Sequence, residues 1–169
     1  MNKSQKGFGY AEVLVALAIS TIGLLAIYSM QLKWSVEALN SYKTSKAQLL
    51  ATDMHNKMAI SAEAKQIFAQ AFSDVDKAKS YKNINCIENS CTLDQKIKED
   101  AYYSYRSITN SNMKVSISKC RSTDRNCIYI SWDNTLPISD DTNLKSCTVA
   151  DNGTENYRKD ANCVVMESF

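Results

Sequence analysis

The sequence predicts an α+β protein: a long N-terminal helix packed on a small antiparallel β-sheet, with disulfide-closed loops towards the C-terminal end. Three observations carry this. Between Gly23 and Pro137 there is neither glycine nor proline, so nothing in that stretch breaks a helix outright. Residues 13–32, VLVALAISTIGLLAIYSMQL, contain no charge. The last third instead alternates apolar and polar residues, the period of a strand.

The charge-free run is twenty residues long. As a helix it covers roughly 30 Å, the thickness of a bilayer's hydrocarbon core. A cleaved secretory signal is the competing reading. Its apolar region usually measures about 7–15 residues and precedes a small-x-small cleavage site; here Ala16-Leu17-Ala18 lies inside the run and no such site comes after it. Lys3 and Lys6 stand ahead of the run without an acid, which favours a cytoplasmic N-terminus and places the remaining domain outside.

Residues 33–60 continue without a breaker and carry apolar residues at Val36, Leu39, Leu50, Met54 and Met58, with Tyr42 and Ala47 between. Spacings of three and four dominate, so one helix from about Gly9 to about Ala59 is expected, amphipathic in its second half, with this stripe as core. His55 lies on that helix as a boundary residue without assigned chemistry. Residues 61–72 read as a second short helix or a continuation, with Ser61 as N-cap. The polar, lysine-rich residues 73–85 read as a loop. Tyr102, Tyr103 and Tyr105 read as packing residues.

Residues 114–118 and 127–132 alternate and are expected as half-buried strands of a hairpin, with Ile128, Ile130 and Trp132 on one face. Residues 163–166 supply a third strand. Asp151-Asn152-Gly153 is a tight-turn signal.

All six cysteines lie beyond the apolar run. An even number beyond a membrane-crossing segment reads as three disulfides formed in an oxidising compartment. Zinc is a poor alternative, because there is no C-x-x-C and the one histidine lies far upstream. Six cysteines allow 15 connectivities. Pairing in sequence order, Cys86–Cys91, Cys120–Cys127 and Cys147–Cys163, closes short loops and is the expectation.

Composition narrows the function. Twenty basic against 18 acidic residues give a formal charge of +2, no electrostatic footprint for nucleic acid. Arg106, Lys114, Lys119, Arg121 and Arg125, near tyrosines, are the candidates for a basic patch, and Asp124 dilutes them. No P-loop, GxSxG, dinucleotide-binding glycine run or HExxH occurs. Asp140 and Asp141 lie in a stretch that lacks the EF-hand pattern. No catalytic residue, cofactor or metal is expected, and the protein is read as a non-enzyme.

Glu12 is the odd residue. It abuts the apolar run, and Phe8 and Tyr10 extend apolar surface ahead of it. A carboxylate at membrane depth is costly and is a functional hypothesis by default. On charge and depth alone two roles fit: pairing with an α-amino group exposed by cleavage just upstream, or resting among headgroups beside Lys6.

Residues 6–32, KGFGYAEVLVALAISTIGLLAIYSMQL, resemble the N-terminus of type IV pilins and type II secretion pseudopilins. The family pattern is a short basic leader, a glycine, a phenylalanine, an acid at the fifth mature position and an apolar helix. Gly7, Phe8 and Glu12 fit it; Tyr10-Ala11 departs from the usual pair before the acid. The resemblance is closest to minor pilins, while pseudopilins of the I type share the EVLVAL stretch. It implies a leader of residues 1–7, a transmembrane and filament-core segment of residues 8–32, and a periplasmic head of residues 33–169. It implies cleavage between Gly7 and Phe8 by a prepilin peptidase and N-methylation of Phe8, which removes Lys3 and Lys6 and takes the formal charge from +2 to zero. Glu12 would then neutralise a neighbour's N-terminus during assembly. The implied partners are the peptidase, other minor pilins, the major pilin and the inner-membrane assembly platform. The implied location is the inner membrane as a single-pass protein with its head in the periplasm, then the extracellular pilus. The functional expectation is a minor pilin that helps prime assembly, at or near the pilus tip. A secretion pseudopilin of the I type and a tip adhesin or DNA-binding pilin are the alternatives.

Overall fold

The computed structural model describes residues 9–121, 123–151 and 154–168. The chain divides into two compact units, Met1–Tyr42 and Lys43–Phe169. Helix α1, Tyr10–Ala59, contributes to both. In the first unit the helix is exposed along its whole described length. Val36, Leu39 and Tyr42, expected as part of the core stripe, are exposed; burial along α1 begins at Ala47 and continues through Leu50, Ala51, Met54 and Met58, spacings of three, one, three and four. The period is helical, and among the described residues the buried part of the stripe lies within the second unit.

The second unit is the head. Its chain leaves α1 at Ile60 and re-enters helix at α2, Ala62–Ser73. Ser61 is extended and its Oγ accepts the Ala64 N–H at 3.0 Å, so one free amide of the new helix is satisfied by the residue that interrupts the old one. Ala64, Ile67, Phe68, Ala71 and Phe72 form the buried face. Residues 73–85, expected as a loop, instead contain a short helix α3, Val75–Ser80, and a 3₁₀ turn, Tyr81–Asn83. Ala78 is fully buried, which holds this lysine-rich piece down. Helix α4, Leu93–Asn110, starts at a capping box: Thr92 Oγ1 accepts from Gln95 N, and Gln95 Oε1 accepts from Thr92 N. Ile97, Ala101, Ser104 and Ile108 then face inward at helical spacing.

Two three-stranded sheets complete the head. The first comprises β1 (Met113–Lys119), β2 (Asn126–Trp132) and β6 (Cys163–Ser168), antiparallel in the order β1-β2-β6. Val115 pairs with Ile130 and Ile130 with Val164. The hairpin partners were legible; the burial of β2 was not. Tyr129 and Ser131 are as buried as Ile128 and Ile130, so the strand is covered on both faces rather than one. On one side Ile128, Ile130 and Trp132 join the main core with α1, α2 and α4. On the other, Tyr129 lies in a second cluster with Cys120, Cys127, Cys147 and Cys163.

The second sheet, β3 (Leu136–Ser139), β4 (Ser146–Asp151) and β5 (Thr154–Tyr157), was not expected. β4 and β5 are antiparallel, and the expected turn at Asn152 and Gly153 lies outside the described residues. β3 and β4 are parallel. Parallel neighbours usually need a long crossover. Here the connection is residues 140–145, and at about 3.3–3.6 Å per extended residue it spans roughly 20 Å, enough to return along a four-residue strand of about 13 Å.

Candidate functional site

The N-terminal part of α1 is the first candidate. Among the described residues α1 is the one helix long and apolar enough, by length and composition, to cross a membrane, and its most apolar stretch buries nothing within the protein. Val13, Leu17, Ile22, Leu24, Leu25, Ile27 and Leu32 are all exposed, and they point around the helix rather than to one side. Three hydroxyls along this part of α1 are bonded within the helix. Thr21 and Ser29 donate to the carbonyls of Ala18 and Ala26, each at 2.8 Å, and Ser35 to Gln31 at 2.9 Å. Each of these hydroxyls therefore carries its own acceptor into an apolar medium.

Glu12 sits in the first turn of α1, exposed, with its own N–H bonded to the Gly9 carbonyl at 2.9 Å. An acid there faces the positive end of the helix dipole, a favourable placement of about 0.3–1 kcal/mol. Gly7 and Phe8 lie outside the described residues. The start of the helix at Tyr10 puts position 8 within two residues of the free amides of the first turn.

The head is closed by three disulfides. Cys86–Cys91 rings a surface loop, Cys120–Cys127 joins the two sides of the β1–β2 connection, and Cys147–Cys163 ties β4 of one sheet to β6 of the other. Between the last two, the buried Tyr129 hydroxyl donates to Glu155 Oε1 at 2.7 Å, and Thr148 Oγ1 donates to the same oxygen. Burial and the adjacent carboxylate push the Tyr129 pKa upwards. Burial acts to raise Glu155, but the hydrogen bonds from Thr148 and Tyr129 outweigh it and its pKa is lowered.

The basic residues singled out in the sequence do not gather as a bare patch. Lys119 pairs with Asp124 at 2.6 Å, Arg121 with Asp141 at 2.7 Å and Arg125 with Glu167 at 3.8 Å. Lys114 donates to the Asp133 carbonyl at 3.4 Å. Asp140 and Asp141 are likewise engaged: Asp140 accepts from the amide and hydroxyl of Thr142, and Asp141 from Ala150 N–H and Arg121, and both pKa values are lowered by these bonds. His55 is half-buried on α1.

No family model, curated protein or solved structure matches the chain. What the fold itself shows is an α+β protein with a long N-terminal apolar helix, a small antiparallel sheet and three disulfides, compatible with a pilin-like shape.

Proposed function

We propose that this chain is a minor pilin of a type IV pilus, of the PilV type: a non-enzymatic structural subunit that helps prime assembly at or near the pilus tip. The observation that supports this most is the exposed, charge-poor N-terminal stretch of α1, with Glu12 in its first turn and a disulfide-closed head further along the chain. Gly7, Phe8 and Glu12 supply the processing and assembly positions. Cutting before Phe8 leaves a cationic amine two residues ahead of the first residue of α1 in sequence, and Glu12 in the first turn is an acid that can offset it. In the membrane Glu12 of the same subunit supplies part of that compensation; in a filament the Glu12 of a neighbour supplies it in an apolar contact, where an unpaired charge is costly. The prepilin peptidase, the assembly platform, other minor pilins and the major pilin are the partners of this reading, and the inner membrane and then the pilus its locations.

The test is the N-terminal peptide mass of the protein from sheared pili and from inner membranes. The expected species begins at N-methylated Phe8 and is found in both fractions. An intact N-terminus at Met1 in both would sink the reading. A processed subunit that co-purifies with secretion pseudopilins and is missing from pili would replace it with the pseudopilin function.

A further inference from the structure

We propose that the head carries a binding site for a small phosphomonoester, in the cleft between the β3–β4 connection and the segment joining β5 to β6. The cleft has a volume of about 310 Å³. That is the small end of ligand clefts, which run from roughly 300 to 1,000 Å³. Lys145, Arg158 and Lys159 line it, with the amide side chains of Asn134 and Asn162 and one carboxylate, Asp160. Three cations against one acid give a formal +2.

Arg158 is what makes this a built cleft. The guanidinium is half-buried and fixed by neutral oxygens: Nε donates to Ser146 Oγ at 3.0 Å, and Nη2 to the carbonyls of Asp140 and Asp141, each at 3.1 Å. Ser146 is itself buried and donates to the Asp140 carbonyl at 2.7 Å, so it cannot swing away. The side-chain carboxylates of Asp140 and Asp141 are committed elsewhere. Asp140 Oδ1 takes the Thr142 amide and hydroxyl, and Asp141 is shared between Arg121 and the Ala150 amide. Arg158 is therefore held in place with no ion pair among the described residues, and Nη1 is outside all of these bonds. Lys145 and Lys159 are exposed and take part in none of the ion pairs among the described residues.

The charge selects the ligand. A phosphomonoester carries about −1.5 to −2 at pH 7 and three acceptor oxygens. It matches the cleft's +2 and gives the two lysines and Arg158 an oxygen each, while the asparagine amides suit the hydroxyls of an attached polyol. A carboxylate or a phosphodiester carries a single charge and leaves one cation uncompensated. Glycerol 3-phosphate, a phosphate on a three-carbon polyol, is the probe of choice, and inorganic phosphate separates the contribution of the polyol.

The experiment is calorimetric titration of the full chain in uncharged maltoside micelles at low ionic strength, where the attraction is least screened. Glycerol 3-phosphate is expected to saturate one site. The Lys145→Gln/Lys159→Gln variant, altered only at exposed positions, is expected to keep the thermal unfolding midpoint and to weaken binding at least about ten-fold. Arg158→Lys, which loses the Nε and Nη2 bonds that fix the side chain in the cleft, is expected to weaken it as well. Heat without saturation up to about 10 mM ligand, an affinity outside the useful range for a specific site, overturns the proposal. So does equal binding by the double-glutamine variant, or equal affinity for dimethyl phosphate, which would mark plain charge attraction.

Discussion

Breaking the Cys147–Cys163 bridge should destabilise the head more than breaking either of the other two. The reason is loop length. The cysteines are 16 residues apart in sequence, against 7 for Cys120–Cys127 and 5 for Cys86–Cys91. With a loop-closure entropy of about 2.1 + 1.5R ln n cal/mol/K, the three bridges restrict the unfolded chain by about 3, 2.4 and 2 kcal/mol at 25 °C. Position adds to the difference. Cys147 is fully buried beside Tyr129 and its bridge spans two sheets, whereas Cys86–Cys91 rings a loop whose Ile87 is exposed. The measurement is urea unfolding of Cys147→Ala/Cys163→Ala and Cys86→Ala/Cys91→Ala in a Trp34→Phe background. Trp34 is exposed on α1, so removing it leaves the buried Trp132 as the sole tryptophan reporter of the head. With a slope of about 2 kcal/mol per M urea, the midpoints should fall by about 1.5 M and about 1 M respectively. A loss for the 147–163 pair equal to or smaller than that for the 86–91 pair would refute the loop-length reasoning.

Four further outcomes are expected. Phe72 is fully buried with its ring 5.9 Å from that of Phe68, so Phe72→Ala should cost about 3–5 kcal/mol, read by the same unfolding assay. Because the folded pKa of Glu155 lies below its ordinary 4.5, its contribution to stability is complete above that pH and is lost as pH falls through the lower folded value; the stability gap between wild type and Glu155→Gln should therefore narrow as pH drops from about 5 towards about 3. The Tyr129 pKa is raised, so its contribution runs the other way: it is complete below about pH 10 and lost at more alkaline pH. Ultraviolet titration should leave one tyrosine protonated after the exposed ones have ionised, and that lag should vanish in urea. Finally, Glu12→Ala should leave processing at Gly7 largely intact but reduce the ratio of this subunit in sheared pili to that in the inner membrane by about a hundred-fold, the equivalent of leaving a buried amine unpaired; an unchanged ratio removes Glu12 from assembly.

The elements legible in the sequence are those whose signals are local. α1 was legible because neither glycine nor proline lies between Gly23 and its end and Ser61 caps the next helix, and the β1–β2 hairpin because its alternation is strict on either side of a polar turn. α4 was missed although Thr92-x-x-Gln95 is a readable capping box; the tyrosine-rich sequence behind it draws attention to packing instead. The second sheet was not legible. Its strands β3 and β5 are four residues long, and β3 finds a parallel partner, so neither period nor turn chemistry marks it. The double-sided burial of β2 has the same origin, since Tyr129 is covered by cysteines from β4 and β6 that sequence spacing does not place there. The phosphomonoester cleft combines both limits. Lys145, Arg158 and Lys159 are scattered lysines and an arginine until the short return between β3 and β4 brings their loops together. Glu12 could be singled out early for the opposite reason, as an acid standing against an uncharged background.

The pairing of β6 with β2 also sets an order of events. Thirty residues separate Trp132 from Cys163, and β2 is the middle strand of its sheet only once β6 has arrived. A chain emerging from its N-terminal side makes the helices and the β1–β2 hairpin from near neighbours, contacts that close quickly. Until residues 163–168 arrive, the inner strand presents a row of unmatched amides and carbonyls, the kind of border that recruits foreign strands. Cys147 oxidised before that moment lacks its native partner, because Cys163 opens β6 of the other sheet, so premature thiol pairing and edge-to-edge association become competing fates of the incomplete chain. Slow synthesis or slow delivery of this one hexapeptide is thus the step at which a catalyst of disulfide exchange, or a chaperone that covers strand borders, has the most influence on yield.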